Sequence, residues 1–381
     1  MRVRWTTFPV VGVATLALTA TAAFGATIMV DSDGAATPTS CAGGAPGSAY
    51  TTIQAGVNAA SPGDRVKVCG EPTPYAGATV NTPSVALVGV NHPVISAGTS
   101  NNGLTLNANK VSVKGFEIVN SAAAIFTSPN ASGYTIANNN LHDNAIGIYL
   151  QSNGQYRTFI THNNIHDQNT ALPGGGNGID NETPASNVTI SGNQFVNNDN
   201  EGILLNPQTG FDSGFVITHN TFSQELGSDV AFLGTVNNSR VVGNTMTNTA
   251  ADPTNGNSSI FIGADSANDT VAQNTIRNAN YNGIAVRNTA HNIGIARNTI
   301  TGAGNNGIDV SSTTADAVNA TANKIISSQQ IGINFQAGTT GSNLSYNHST
   351  LSGGPFNCVD AGTNNWTGNT AAPSSPPGIC K

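Results

Sequence analysis

Asp180 and Glu182 are the two residues of this sequence best placed for acid–base chemistry. They are separated by one residue, so on a β-strand both side chains face the same way, with α-carbons about 6.5–7 Å apart. That separation suits a general acid and a general base on either side of a water molecule, as in inverting glycoside hydrolysis. Glu201 follows about one repeat later and adds a third carboxylate. We interpret Asp180, Glu182 and Glu201 as candidate catalytic residues.

The same acidic stretch has two other interpretations. Asp180, Glu182 and Asp199 supply the carboxylate oxygens that Ca²⁺ prefers, and a calcium ion there would bind a uronate carboxylate and acidify the proton beside it. A lyase built in this way also needs a base, and the basic candidate, Arg287, lies about four repeats away. Solvated acidic side chains on loops would explain the same residues without any site. Catalytic carboxylates, calcium ligands and a solvated patch therefore all stay open.

A His-Asp doublet occurs twice, at 141–143 (LHD) and 165–167 (IHD). Histidine beside aspartate is capable of proton transfer. Both doublets follow an asparagine at the same distance, so we expect His142 to stack on His166, and Asp143 on Asp167. Their place before the strand of Asp180 predicts a different face of the molecule, which favours surface stacking over catalysis.

The elements that must position these residues are repeats. Asparagines recur at steps of 24, 30, 27, 24, 30, 24, 25 and 24 residues, a period typical of stacked structural repeats. The nine positions are Asn139, Asn163, Asn193, Asn220, Asn244, Asn274, Asn298, Asn323 and Asn347.

Each repeat contains three short apolar runs rich in Val, Ile and Thr and bounded by Gly and Asn, as in 187–206. Runs of this kind predict three β-strands per coil rather than helices. We expect the asparagine to occupy a turn with left-handed backbone and to bond the asparagines of the coils above and below. After Asn347 the apolar residue two places on is missing, which predicts an irregular last coil.

These motifs resemble the right-handed parallel β-helix family of the pectate-lyase-like superfamily over roughly residues 50–362. The resemblance rests on the N-x-[IFLM] turns, on YTTIQAGVNAASPGDRVKV (50–68) and on a repeated strand motif. That motif reads GIYL (147–150), GIDN (178–181), GILL (202–205), GIAV (283–286), GIDV (307–310) and GINF (332–335). The resemblance implies an all-β solenoid of about eleven coils with a short capping helix. It does not imply one activity, because the fold hosts lyases, hydrolases, epimerases and non-enzymes.

The middle residue of the repeated strand is expected to point outward, because Ile and Val beside it point into the core. The first outward column is Tyr149, Asp180, Leu204, a position near Phe232, Phe261, Ala285, Asp309 and Asn334. The second is Gln151, Glu182, Asn206, Gly263, Arg287, Ser311 and Gln336.

The resemblance implies that this surface is a substrate groove. We expect Tyr149, Arg287 and Asp309 to contact a substrate there. Two long inserts, 171–176 and 251–257, are expected to border the groove, as loops on a solenoid face tend to border a binding surface. The acidic and basic catalytic motifs of polygalacturonases are largely missing, so we do not assign the catalytic residues of that family to this chain.

The termini predict export. Residues 1–25 read as a signal peptide, 26–70 as an N-terminal cap and first coil, 71–362 as the β-helix and 363–381 as an irregular C-terminal cap. We expect disulfides Cys41–Cys69 and Cys358–Cys380, one at each end of the solenoid, with metal binding as the rival interpretation.

Charge excludes some partners. Without Arg2 and Arg4 the chain has 11 basic and 20 acidic residues, a net charge of −9, and no basic cluster. This argues against nucleic-acid binding, and no later segment is apolar enough to span a membrane. We expect a monomer.

Two functions remain. The first is a secreted carbohydrate-active protein that binds or cleaves a polysaccharide, as a lyase or hydrolase, along the groove. The second is a non-catalytic extracellular or surface protein that is structural or binds glycans. The inserts beside an acidic stretch favour the first, and the lack of a full catalytic motif favours the second.

Overall fold

The computed structural model describes residues 25–37, 39–42, 44–169, 175–247, 257–311, 318–350, 352–370 and 373–380. These residues form one α-helix, Ile53–Ala59, three long parallel sheets of 14, 11 and 13 strands, and a two-stranded sheet of Asp212–Ser213 and Val236–Asn237. The chain visits the three long sheets in turn, once per coil, and winds a right-handed solenoid of about 12 turns. The predicted all-β fold is confirmed.

Sheet 1 contains the strand that comes before the recurring asparagine in each coil that has one. Its strands are Thr27–Val30, Arg65–Cys69, Ala86–Val90, Ser112–Lys114, Thr135–Ala137, Thr158–Thr161, Val188–Ser191, Val216–Thr218, Arg240–Val242, Thr270–Ala272, Gly294–Ala296, Asn319–Thr321, Thr340–Ser345 and Thr363–Thr367.

Sheet 2 contains the strand that follows that asparagine. Its strands are Val94–Gly98, Glu117–Ser121, Asn140–His142, Asn164–His166, Gln194–Val196, Thr221–Ser223, Thr245–Thr247, Thr275–Arg277, Thr299–Thr301, Lys324–Ile326 and His348–Thr350.

Sheet 3 contains the repeated G-I-x-V strand. Its strands are Ala78–Val80, Leu104–Leu106, Ala123–Thr127, Ile146–Tyr149, Asn177–Asn181, Ile203–Leu205, Val230–Phe232, Ile260–Ile262, Ile284–Arg287, Ile308–Ser311, Ile333–Phe335, Cys358–Asp360 and Ser374–Ser375.

The predicted asparagine ladder forms between sheets 1 and 2. Asn220, for example, is 1% exposed and accepts from both the backbone N–H and the side-chain amide of Asn193, at 2.9 and 3.0 Å. Its own amide donates to Asn244 Oδ1 at 3.1 Å and to the carbonyl of Ile190 at 2.9 Å. The ladder thus satisfies buried backbone groups at a corner that the sheets leave open.

The left-handed backbone predicted for the ladder asparagines is wrong. The residue before each asparagine carries the positive φ instead: His162 has φ 55°, Gly192 has φ 65° and His219 has φ 54°. The asparagine side chain points into the ladder. The residue before it faces outward, and it is this residue that adopts the left-handed backbone conformation at the turn.

The core lies inside the solenoid and is lined by the alternate apolar residues of every sheet. The residues two places after the ladder asparagines, such as Leu141, Phe195 and Met246, are fully buried. Gly178 shows why the strand motif begins with glycine: a Cβ there would lie 2.6 Å from the carbonyl oxygen of Gly202 and 2.8 Å from the ring of Phe195.

The two ends are closed as predicted by the helix and the disulfides. Thr52 caps the helix by accepting from the N–H of Ala55 at 3.1 Å, and Ile53 and Val57 are buried. The disulfides Cys41–Cys69 and Cys358–Cys380 both form.

The solenoid continues past the predicted boundary at residue 362. Thr363–Thr367 pairs in parallel with sheet 1, and Asn369 continues the asparagine ladder by accepting from Asn347 at 2.9 Å. The segment read as a signal peptide lies outside the described residues, apart from Gly25. The described helix is too short to cross a membrane.

Candidate functional site

The outward face of sheet 3, here called the groove, carries the predicted first column. Strand pairing aligns Tyr149 with Asp180, Asp180 with Leu204, and Ala285 with Asp309. The position predicted near Phe232 is Ala231, which aligns with Leu204, whereas Phe232 itself points into the core and is fully buried.

Asp180 is held almost wholly out of solvent at the start of this column. It is 2% exposed, its Oδ2 accepts from Asn177 Nδ2 at 3.1 Å, and its buried Oδ1 has no hydrogen-bond partner among the described residues. Burial raises the pKa of Asp180 to about 7, and the charge of Glu182 adds to the rise, while the bond from Asn177 opposes it. Asp180 therefore holds a proton at neutral pH in a large share of molecules, as a general acid must.

Glu182 and Tyr149 form the second part of this arrangement. The phenol of Tyr149 donates to Glu182 Oε2 at 3.1 Å. Burial, and then the charge of Glu182, raises the pKa of Tyr149, so its hydroxyl stays protonated. The structure thus places Tyr149, Asp180 and Glu182 together on adjacent coils.

Asn177 is a site residue that sequence reasoning missed. Its amide donates to Asp180, and its Oδ1 accepts from the backbone N–H of Glu201 at 3.1 Å. It therefore orients the carboxyl of Asp180 and ties it to the next coil. The available signal was the motif Asn-Gly-Ile-Asp, which occurs at 177–180 and again at 306–309.

Glu201 and Arg287 lie together in a cleft of about 460 Å³ further along the groove. Asp180 and Glu182 are not among the described residues that line this cleft, so Glu201 is the one of the three predicted catalytic carboxylates that lines it. The lining residues are Glu201, Ser228, Ala231, Leu233, Asn257, Ser258, Phe261, Tyr281 and Arg287. Sequence reasoning missed Leu233 and Tyr281, which are 43% and 40% exposed and offer apolar surface to a ligand.

Arg287 forms an ion pair with Asp309 on the next coil. Its Nη2 lies 2.5 Å from Asp309 Oδ2, and the Asp309 side chain is only 2% exposed. Asp309 lies beneath Arg287 and is engaged by hydrogen bonds, so of these two predicted contact residues Arg287 is the one that reaches the cleft.

The other end of the groove is apolar. The rings of Phe126 and Tyr149 stack with centroids 5.2 Å apart, beside a pit of about 210 Å³. Gly175 lines this pit and Asn257 lines the cleft, so the described ends of both predicted inserts reach the groove. Residues 170–174 and 248–256 lie outside the described residues.

The calcium prediction stays a prediction. Asp199 is exposed, and no three His, Cys, Asp or Glu side chains among the described residues come together as a metal site.

The His-Asp doublets lie on sheet 2, away from the groove, as predicted. The rings of His142 and His166 stack with centroids 4.8 Å apart, and each Nδ1 lies 2.6 Å from the carboxylate of the following aspartate.

Comparison with known proteins supports the fold. A family profile described as right handed beta helix region matches residues 77–246. Among solved structures, an alginate lyase from Paenibacillus sp. is 14% identical with a TM-score of 0.57, covering 74% of this chain and 97% of the lyase. The catalytic unit of an α-1,3-glucanase from Streptomyces thermodiastaticus is 16% identical with a TM-score of 0.62, covering 83% of this chain and 64% of the glucanase.

A mutant tailspike protein of E. coli bacteriophage HK620, in complex with a pentasaccharide, is 12% identical with a TM-score of 0.51. The match covers 81% of this chain and 64% of the tailspike. A search of curated proteins finds no significant match. At these identities the likeness concerns the fold. The repeat, the three parallel sheets and the profile match agree that the chain folds as a right-handed parallel β-helix.

Proposed function

We propose that this protein is a secreted, carbohydrate-active β-helix protein that binds a polysaccharide along the groove and hydrolyses it at Asp180 and Glu182. Proteins of the same fold that bind or act on polysaccharides support the substrate class. Two disulfides and a predicted signal peptide support export, because disulfides persist in oxidising compartments.

The observation that carries the proposal is the environment of Asp180. A buried carboxyl with a pKa of about 7 lies two residues before a second carboxyl, that of Glu182, which directly follows the strand Asn177–Asn181. Asp180 would donate its proton to the glycosidic oxygen as the bond from that oxygen to the anomeric carbon breaks. Glu182 would take a proton from the water whose oxygen forms the new bond to that carbon. Tyr149, by donating to Glu182, fixes the orientation of the base.

Hydrolysis fits these residues better than elimination. A lyase needs a base that removes a proton beside a uronate carboxylate. The guanidinium of Arg287 offers hydrogen-bond donors and no acceptor for that proton, and it is paired with Asp309. The raised pKa of Tyr149 likewise favours the protonated phenol.

A non-catalytic glycan-binding function is the second candidate. The observation that favours it is that Asp180 is 2% exposed and its Oδ1 is fully enclosed. An acid must reach its substrate, so catalysis requires local opening of the groove.

A screen on neutral and uronate polysaccharides, with calcium or with a chelator, separates these functions. Reducing ends report hydrolysis, and absorbance of unsaturated sugars reports elimination. We expect reducing ends without unsaturated sugars. Unsaturated products would support a lyase, glycan binding without either product would support the second candidate, and activity that needs calcium would support the predicted calcium site. Neither binding nor product across a broad panel would contradict the proposal.

A further inference from the structure

The charge of the groove indicates which polysaccharides it accepts, if the proposed function holds. Arg287 is the cation that lines the cleft. Its Nη2 lies 2.5 Å from Asp309 Oδ2, and the side chains of the two residues are 22% and 2% exposed. The carboxylate of Asp309 lies beneath the guanidinium and balances its positive charge. The attraction of Arg287 for an anionic ligand is therefore weakened.

This ion pair is fixed on both sides. Asp309 Oδ1 accepts from Asn306 Nδ2 at 2.9 Å and from Asn334 Nδ2 at 2.6 Å. Arg287 Nη1 donates to the backbone carbonyl of Asp309 at 3.1 Å. Because several bonds hold each partner, the guanidinium is not available to turn toward a substrate carboxylate without breaking them.

The twin motif shows that the pairing is specific to one position. Asn177 donates to Asp180 as Asn306 donates to Asp309, at 3.1 and 2.9 Å. The carboxyl of Asp180 forms no ion pair within the described residues, whereas that of Asp309 does. One aspartate of the motif is thereby left for proton transfer, and the other neutralises an arginine.

The cavity at the opposite end of the groove is uncharged in the described part of the chain. A cavity of about 500 Å³ lies beside the start of sheet 3, and none of the residues that line it is charged. Its polar lining residues are Gln54, Thr79, Ser100, Asn101, Asn102 and Thr105. Asn102 also lines the apolar pit beside Tyr149, so the cavity and the pit are neighbours along the groove.

We propose that the groove selects an uncharged polysaccharide, and that Asp309 determines this selectivity by neutralising Arg287. The amides and hydroxyls of the cavity match the hydroxyl groups of neutral sugars as donors and acceptors. Glu182, together with the net negative charge of the chain, repels a polyuronate. Asp309 acts through Arg287 and does not touch the substrate itself.

The test is affinity electrophoresis at low ionic strength in gels that contain a neutral glucan, mannan or xylan, or polygalacturonate or alginate. Wild-type protein is expected to be retarded by a neutral glycan and not by the polyuronates. Asp309→Asn frees the guanidinium and is expected to raise polyuronate affinity about 10-fold or more, an increase that salt removes.

Two matched variants control for the loss of one negative charge. Arg287→Gln/Asp309→Asn lacks both partners and is expected to gain no polyuronate affinity. Asp33→Asn removes an exposed carboxylate near the N-terminal cap and is expected to behave as wild type. Thermal unfolding by circular dichroism establishes that each variant is folded before its mobility is interpreted.

The outcomes separate this inference from the proposed function. Retardation of the wild type by polyuronates as strong as by neutral glycans overturns the selectivity and leaves the function standing. A folded Asp309→Asn variant without increased polyuronate affinity overturns the role of Asp309. Retardation by no glycan of either class overturns the proposed function, and this inference with it.

Discussion

Asp180 and Asp309 occupy the same place in two copies of the motif Asn-Gly-Ile-Asp, but only Asp309 forms an ion pair in the described part of the chain. Both are at most 2% exposed, and both accept from the asparagine three residues earlier. The carboxyl of Asp309 pairs with the guanidinium of Arg287. Burial, in contrast, raises the pKa of Asp180 to about 7. The same local motif therefore yields a counter-ion at one position of the groove and a proton donor at another.

Asp180→Asn is expected to abolish hydrolysis while leaving glycan binding intact. An amide keeps the shape and the contact with Asn177 but cannot protonate a leaving oxygen, so the rate of reducing-end release should fall about 100-fold or more. Asp143→Asn, which changes an exposed carboxylate on sheet 2, is the matched control. Full activity in Asp180→Asn would remove Asp180 from the mechanism.

The rate of hydrolysis is expected to fall as the pH rises above about 7. Burial raises the pKa of Asp180 to that value, and the acid works only while it holds its proton. Initial rates measured from pH 5 to 9, with circular dichroism to exclude unfolding, test this. A rate that keeps rising through pH 8 would contradict the assignment of Asp180 as the acid.

Stability is expected to decrease from acidic to mildly alkaline pH. Burial raises the pKa of both Asp212 and Asp269 to about 8, and in each residue Oδ2 is buried without a hydrogen-bond partner. A raised carboxyl pKa means that the folded chain binds the proton more tightly than the unfolded chain. The stabilisation is therefore complete below the unfolded pKa of about 4 and is lost as the pH rises through about 8.

Thermal midpoints at pH 5 and pH 8 measure this effect. The wild type should melt at the lower temperature at pH 8. The Asp212→Asn/Asp269→Asn variant, which does not titrate at these positions, should show a smaller difference. Equal pH dependence in the two proteins would show that these carboxyls do not control it.

Asn220→Ala is expected to destabilise the solenoid strongly. The backbone N–H and the amide of Asn193 would lose their acceptor, and the carbonyl of Ile190 would lose a donor. Each buried polar group left unsatisfied costs about 1–3 kcal/mol, so the free energy of unfolding should fall by about 3 kcal/mol or more. Urea unfolding measures it, and exposed Thr221→Ala on the same coil is the control. A loss no larger than that of the control would mean that the ladder contributes little.

The periodic part of the molecule was predictable from sequence because periodicity is a local property. The spacing of the asparagines predicted the ladder, and G-I-x-V placed Tyr149 over Asp180. The backbone conformation of the ladder turn was predicted wrongly. The positive φ falls on the residue before the asparagine, because the asparagine side chain is the one that points into the ladder.

The chemical part of the site was less accessible from sequence. The pairing of Arg287 with Asp309 and the hydrogen bonds of Asn177 depend on side-chain rotamers in neighbouring coils. The spacing of the repeats does not determine these rotamers. The burial that raises the pKa of Asp180 likewise depends on the packing around one coil. The cleft lined by Glu201 and Arg287 was not predicted either, because it depends on the irregular connections that bring Leu233 and Tyr281 beside the strands.

The most direct measurement is a crystal structure of Asp180→Asn soaked with an oligosaccharide of whichever glycan the wild type binds. The proposed function predicts sugar density along the outward face of sheet 3, with a glycosidic oxygen within hydrogen-bond distance of residue 180 and sugars extending toward Phe126 and toward Phe261. Density on sheet 1 or sheet 2 with an empty groove would contradict it.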